Sequence, residues 1–214
     1  MLTAKGRVFE NDIEQLNSKG RNGAVFILMM VMLGTLTYLK TAFNKDIEEI
    51  VQSVLNRNLA QQIFRMQSKE VTFSSFVLNA NFIVTISLYA RFIFVKYFHI
   101  STLENLSAIL LLIFLFTFFY LIKLGALKLL GLMFEAKDVC NEYIFNFTTI
   151  CKTLGLALLP ALFIFYTSQQ RVFDFVFAIT AIVVLAHVLV FAWRGLSTGY
   201  KLMYRSVYHF FIYV

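Results

Sequence analysis

Five long apolar segments dominate the chain, and their length restricts the possible fold more than any other feature. They occupy residues 24–39, 71–94, 103–122, 143–166 and 173–193. A helix needs about 20 apolar residues to cross the roughly 30 Å hydrocarbon core of a bilayer. In that environment the backbone polar groups need partners within their own segment, which favours helices. We therefore predict an all-α fold, a polytopic transmembrane bundle of about five full spans.

A further apolar segment, SVYHFFIYV at residues 206–214, follows a polar connection that begins at Arg194. As a helix it covers less than half of the hydrocarbon thickness. We interpret it as the beginning of a truncated sixth span.

The composition agrees with a membrane protein. Of 214 residues, 59% are hydrophobic and only 14% are charged, whereas a soluble domain carries about 25% charged residues. The formal charge of +7 does not indicate a nucleic-acid partner, because Lys and Arg at the ends of apolar segments contact lipid headgroups. Cys140, Cys151 and the three histidines form no metal-ligand spacing. We predict neither a metal nor a cofactor.

Polar segments define the remaining organisation. Residues 1–22 form a polar tail, and residues 23–214 are predicted to form a single transmembrane helical domain. Within that domain, residues 40–70 are charged but place apolar residues at steps of three and four, the period of a helix with one apolar face. We predict an amphipathic interfacial helix between the first two spans, with an apolar face made of Ile47, Ile50, Val51, Val54, Leu55, Leu59, Ile63 and Met66.

Residues 123–142 continue the apolar run of the third span but include Lys123 and Lys128. Gly125 and Gly131 permit a break, so we predict a second interfacial helix here rather than a longer span. Lys and Arg are more numerous in the first, third and fifth connections than in the tail and the other two connections. The positive-inside rule then predicts a periplasmic N-terminus in a bacterial inner membrane, with residues 40–70 and 123–142 in the cytoplasm.

Lys152 lies inside the fourth apolar segment, because residues 154–166 alone are too short to cross the hydrocarbon core. A charge near the bilayer centre costs about 2.5–3.5 kcal/mol on insertion scales, and such residues have a partner or a function. The expected acceptors are Asn79, Asn81 and backbone carbonyls one turn before Pro160.

Further polar residues lie within the predicted spans. Asn146 and Thr149 form a stripe beside Lys152, and Asn81 and His187 lie in the second and fifth spans. Together these five residues predict a ligand or ion seam. The alternative interpretation is a polar seam that only packs helices together, since such residues commonly hydrogen-bond between helices, and this interpretation is somewhat favoured.

Several short motifs follow one another in an order that resembles a known family. They are NRNLAQQIFR before the second span, EYIFNF and KTLGLALLP in the fourth, and YHFFIY at the end. The chain is similar to multi-span inner-membrane proteins of Bacteroidota that are known only as a domain of unknown function. This resemblance implies a helical inner-membrane protein, and it supplies no activity and no catalytic residue.

The residues contain no recognisable catalytic constellation. We therefore predict a non-catalytic structural or accessory subunit of a larger secretion, motility or envelope complex, in contact with the lipid bilayer and with other inner-membrane proteins or copies of itself. One alternative is a small transporter that uses the polar seam around Lys152. Another is a membrane enzyme for a lipid-linked substrate, with Glu135, Asp138 and Glu142 as its acidic cluster.

Overall fold

A computed structural model describes residues 23–67, 73–98, 106–167 and 170–213, so the predicted tail at residues 1–22 lies outside the described residues. The described residues form seven helices and no strand, which confirms the all-helical prediction. The helices are α1 (Gly23–Ala42), α2 (Asn44–Leu55), α3 (Arg57–Gln67), α4 (Phe73–Phe98), α5 (Leu106–Met133), α6 (Lys137–Thr167) and α7 (Gln170–Tyr213).

Five of these helices, α1, α4, α5, α6 and α7, are long and apolar enough to cross a membrane. Their apolar windows are Val25–Ala42, Phe73–Lys96, Ser107–Met133, Lys137–Thr167 and Asp174–Tyr200. Each window overlaps one of the segments predicted from the sequence. The architecture is that of a multi-pass membrane protein.

The predicted interfacial helix at residues 123–142 is wrong. Helix α5 continues without a break from Leu106 to Met133 and so includes Lys123 and Lys128. The chain turns only at Glu135, which adopts a left-handed backbone conformation with φ of 53°. Gly131 does not break the helix. It allows α5 and α6 to approach each other closely beside this turn, because a Cβ atom there would lie 3.0 Å from Cys140 Cβ on α6.

The predicted separation of the fifth span from the terminal segment is also wrong. Helix α7 runs through both as one helix of 44 residues, which corresponds to about 66 Å at 1.5 Å per residue. Residues 206–213 therefore continue the helix that contains the fifth apolar window, Asp174–Tyr200, instead of starting a new element. Arg194 and Thr198, in the segment that we interpreted as a polar connection, are buried helical residues.

Residues 40–70 contain two helices instead of one, because the chain breaks at Asn56 between α2 and α3. The Asn56 side-chain oxygen accepts hydrogen bonds from the backbone N–H groups of Asn58 and Leu59, at 3.0 and 3.4 Å, and so caps the start of α3. Ile50 and Ile63 are buried as the apolar face predicted, whereas Val51 is 45% exposed. The periodicity identified the helices but not the point where they separate.

Helices α4 and α6 form the centre of the bundle and run parallel. Their paired residues advance together along both helices, from Ser75 with Lys152 to Tyr89 with Phe165. Between these levels a Cβ atom on Gly155 would lie only 2.8 Å from Phe82 Cα, so this glycine lets the two backbones approach. The main apolar core surrounds this pair and comprises Val25, Met29, Met32, Leu88, Tyr89, Ile109, Leu158, Leu159, Ala161, Leu162, Phe165 and Val176.

Candidate functional site

Two of the five predicted seam residues, Lys152 and Asn146, lie in two separate polar clusters on α6. We call the first the Lys152 seam: the hydrogen-bonded pair Ser75 of α4 and Lys152 of α6, Asn79 one turn along α4 from Ser75, and Tyr120 of α5, whose ring packs against α4 and α6. We call the second the Arg194 junction, formed by Ser53 and Val54 of α2, Asn146 of α6 and Arg194 of α7. Asn146 and Lys152 are about 9 Å apart along the axis of α6.

Lys152 is buried, with 6% of its surface exposed, as its position inside a span predicted. Its Nζ atom donates a hydrogen bond to Ser75 Oγ at 2.5 Å. The predicted acceptors were wrong, because the partner is a serine hydroxyl one helical turn before Asn79. The register of the parallel α4–α6 pair brings Ser75 to the level of Lys152, and this register is not visible in either segment alone.

The Lys152 seam contains two buried polar atoms without a hydrogen-bond partner. They are Asn79 Oδ1 and the Tyr120 hydroxyl oxygen. The Tyr120 ring packs against Phe82 and Phe147, with ring centroids 6.4 and 5.7 Å apart. Burying a polar group without a partner costs about 1–3 kcal/mol of folding free energy. These two atoms can therefore each still form a hydrogen bond that no described protein group supplies.

Asn81 lies on a different side of α4 from the Lys152 seam, because two residues along a helix correspond to a rotation of about 200°. It is buried and accepts a hydrogen bond from Thr85 Oγ1 at 3.3 Å, while its Nδ2 atom has no partner. Ser74, on the same side, donates to Asp46 of α2 at 2.7 Å. This stripe therefore faces the α1–α2 side of the bundle.

Thr149 and His187 make no described contact with Lys152. Thr149 is fully buried, and its backbone oxygen accepts a hydrogen bond from Thr153 Oγ1 at 3.2 Å within α6. His187 Nδ1 lies 2.9 Å from the backbone oxygen of Val183 in its own helix. No described hydrogen bond links either residue to Lys152, so the structure does not assemble the five predicted residues into one site.

Arg194 is the residue that the sequence analysis missed. It is buried, and its Nη1 atom donates to Asn146 Oδ1 at 3.1 Å. Its Nη2 atom donates to the backbone oxygens of Ser53 and Val54, at 2.5 and 2.6 Å. Carbonyls in the last turn of a helix lack intrahelical partners, so Arg194 caps the C-terminus of α2 from a distant helix.

A narrow cleft opens beside the Arg194 junction, between α3, α6 and α7. The free space along its lining is about 270 Å³, a figure that includes the part open to solvent. One carboxylate, that of Glu142, lines the cleft and accepts a hydrogen bond from Gln61 Nε2 at 3.3 Å. The complete lining is Arg57, Ala60, Gln61, Phe64, Glu142, Phe145, Asn146, Arg194 and Thr198.

Lys123, the second lysine within a span, lies against aromatic rings. Its Nζ atom is 3.9 Å from the ring centroid of Phe147 and 4.8 Å from that of Phe191. Such cation–π contacts stabilise a desolvated ammonium group. They explain how α5 includes this lysine without a break.

The acidic residues considered for an enzyme do not form a metal site within the described residues. No three His, Cys, Asp or Glu side chains there are arranged to hold a metal ion. Glu135 and Asp138 are exposed, and Glu142 is half-buried beside the cleft.

The apolar helices, the parallel α4–α6 core and the buried polar contacts define a helical protein of the multi-pass membrane class. Residues 25–214 match the family described as Domain of unknown function (DUF4271), and the chain belongs to this family. No curated protein and no solved structure matches the chain.

Proposed function

We propose that this chain is a non-catalytic subunit of an inner-membrane complex, in which helices α2 and α3 dock a partner protein. The complex would belong to the secretion, motility or envelope machinery of a Bacteroidota bacterium. The surplus of Lys and Arg near α2 and α3 supports a cytoplasmic location for them and a periplasmic N-terminus. The main support is the Arg194 junction, which fixes the break between the two helices to the bundle.

The surface of α2 and α3 that faces away from the bundle is suited to a protein partner. It exposes charges of both signs, including Lys45, Glu48, Glu49 and Arg65. A surface that is already rigid loses little conformational freedom on binding, which favours affinity. Within the bundle, most of the buried polar contacts described above join two helices. This favours a structural role over a substrate path.

Co-purification tests this proposal. The chromosomal copy would be tagged and extracted in mild detergent, and the proteins that elute at near-stoichiometric amounts would be identified. We expect a defined set of membrane partners that is lost in the double variant Glu48→Lys/Glu49→Lys. The matched control is Glu135→Lys, which reverses an exposed charge outside α2 and α3. A chain that elutes alone, or a homo-oligomer that both charge reversals leave intact, would overturn the proposal.

A small transporter is the second candidate function, and the Lys152 seam favours it. Asn79, Tyr120 and Lys152 offer an acceptor, a hydroxyl and an ammonium group in a buried region, and intramembrane ionisable residues commonly mark transport pathways. Lys152→Met separates the two candidates. Loss of a cellular phenotype with normal partner recovery would favour transport, whereas an unchanged phenotype and unchanged assembly would exclude a role for Lys152.

A further inference from the structure

The cleft beside the Arg194 junction carries two cationic side chains and one anionic side chain. Arg57 and Arg194 line it together with Glu142. The three described acceptors of Arg194 are two backbone oxygens and one amide oxygen, none of which is a carboxylate. Neither arginine forms an ion pair within the part of the chain that the structure describes. The cleft therefore has an excess positive charge that no protein group there neutralises.

The other lining groups suit a phosphate ester. Gln61, Asn146 and Thr198 place amide and hydroxyl groups around the two arginines, and Arg binds phosphate oxygens through several N–H groups at once. Phe64 and Phe145 form an apolar wall, with ring centroids 5.6 Å apart.

The cleft lies at the level where lipid headgroups are expected. Thr198 is near the end of the apolar window Asp174–Tyr200, while Glu142 and Asn146 are near the start of the window Lys137–Thr167. Trp193 and Tyr200 flank this level on α7 and are 74% and 64% exposed. Exposed Trp and Tyr are enriched at the membrane–water interface, and basic pockets between helices bind anionic headgroups.

We propose that this cleft binds the phosphate of an anionic phospholipid headgroup and thereby holds α3 against α6 and α7 at the membrane surface. This inference does not depend on the proposed docking function, because lipid binding is measured on the isolated chain. Arg57 supplies the exposed cation that the headgroup recruits. Arg194 positions the cleft while it caps α2.

Native mass spectrometry of the whole chain in detergent tests this proposal. Phosphatidylglycerol would be titrated, with phosphatidylcholine as the zwitterionic comparison, and the occupancy of the first bound lipid would be measured. We expect Arg57→Gln to weaken phosphatidylglycerol binding about fivefold, as expected for one basic residue at a membrane surface. We expect Glu142→Gln to strengthen binding, because it removes the carboxylate from the cleft.

Arg65→Gln is the matched control, since Arg65 is an exposed arginine on α3 that does not line the cleft. Equal weakening by Arg57→Gln and Arg65→Gln would overturn the proposal, because it would indicate nonspecific attraction to the surface. Equal binding of phosphatidylcholine would overturn it as well. Displacement of phosphatidylglycerol by millimolar inorganic phosphate would assign the cleft to a free anion instead of a lipid. The opposite signs expected for Arg57→Gln and Glu142→Gln exclude general unfolding as the cause.

Discussion

The two buried cations Arg194 and Lys152 have different numbers of hydrogen-bond acceptors. Arg194 donates to three oxygen atoms on two other helices. Lys152 donates to one described acceptor, Ser75 Oγ, with the unpaired atoms of Asn79 and Tyr120 in the same seam. The planar guanidinium group presents several N–H donors in a fixed arrangement, whereas the ammonium group acts as a compact point charge. Arg194 therefore holds three helices together, whereas the seam around Lys152 still contains polar atoms without a described hydrogen-bond partner.

The largest effect is expected at the Arg194 junction. Arg194→Met would leave the oxygens of Ser53, Val54 and Asn146 without their donor inside the protein. Hydrogen bonds to charged groups contribute about 1.5–3 kcal/mol, so we expect the free energy of unfolding to fall by about 3 kcal/mol. For a chain of this size that corresponds to a decrease in melting temperature of about 6–12 °C.

Thermal unfolding in detergent measures this change, and Arg65→Met provides the control because Arg65 is exposed. Arg194→Lys should lie between the wild type and Arg194→Met, since one ammonium group does not reproduce the forked geometry. Equal melting temperatures for Arg194→Met and Arg65→Met would show that the junction does not hold α2 to the bundle.

The second effect concerns the close approach of α4 and α6 that places Ser75 beside Lys152. In Gly155→Ala, the new Cβ atom would lie 2.8 Å from Phe82 Cα, so the two helices must separate. Overpacking costs about 1–3 kcal/mol, and we expect a net loss of about 1–2 kcal/mol. Gly125→Ala is the matched control, because a Cβ atom there meets nothing within 4 Å. Gly125→Ala should be neutral or stabilise the protein by up to about 1 kcal/mol, and equal losses in the two variants would contradict the close approach.

These contacts show which parts of the molecule the sequence predicts. The length of the apolar segments located the five long helices, because four of them reach the length set by the hydrocarbon thickness and the first, at residues 24–39, comes close to it. Length and composition did not locate helix ends. Gly125 and Gly131 permitted a break near Lys123, and the polar residues after Arg194 indicated a connection. Helices α5 and α7 nevertheless continue through these segments, because cation–π contacts and buried hydrogen bonds accommodate the two cations.

The site was predictable only where the information was local. The burial of Lys152 and of Asn81 followed from their positions within spans. The partner of Lys152 depends on the register between α4 and α6, and the role of Arg194 depends on where α2 ends. Neither the register between two helices nor the end of α2 can be predicted from a single sequence. The apolar helix preceding Arg194 made it resemble an ordinary interfacial anchor.

The third prediction concerns Lys152, the buried cation with one described acceptor. Lys152→Met removes one charged hydrogen bond to Ser75, but it also removes the cost of burying an ammonium group, which is several kcal/mol for an ion. We therefore expect the free energy of unfolding to change by no more than about 1 kcal/mol. Lys128→Met on the exposed surface of α5 controls for the loss of positive charge. A loss as large as that of Arg194→Met would show that Lys152 also holds helices together.

The smallest effect is expected at the opposite end of the bundle, where Lys96 of α4 and Asp174 of α7 form an ion pair at 2.9 Å. The two side chains are 26% and 60% exposed, so water and salt screen their attraction, in contrast to the buried bonds of Arg194. A double-mutant cycle with Lys96→Met and Asp174→Asn should give a coupling energy of about 0.2–1 kcal/mol. The coupling should decrease between low salt and about 1 M salt, where the screening length falls to about 3 Å. A salt-independent coupling above about 2 kcal/mol would mean that this pair is as protected from water as the Arg194 junction, and the contrast between the two ends of the bundle would then be wrong.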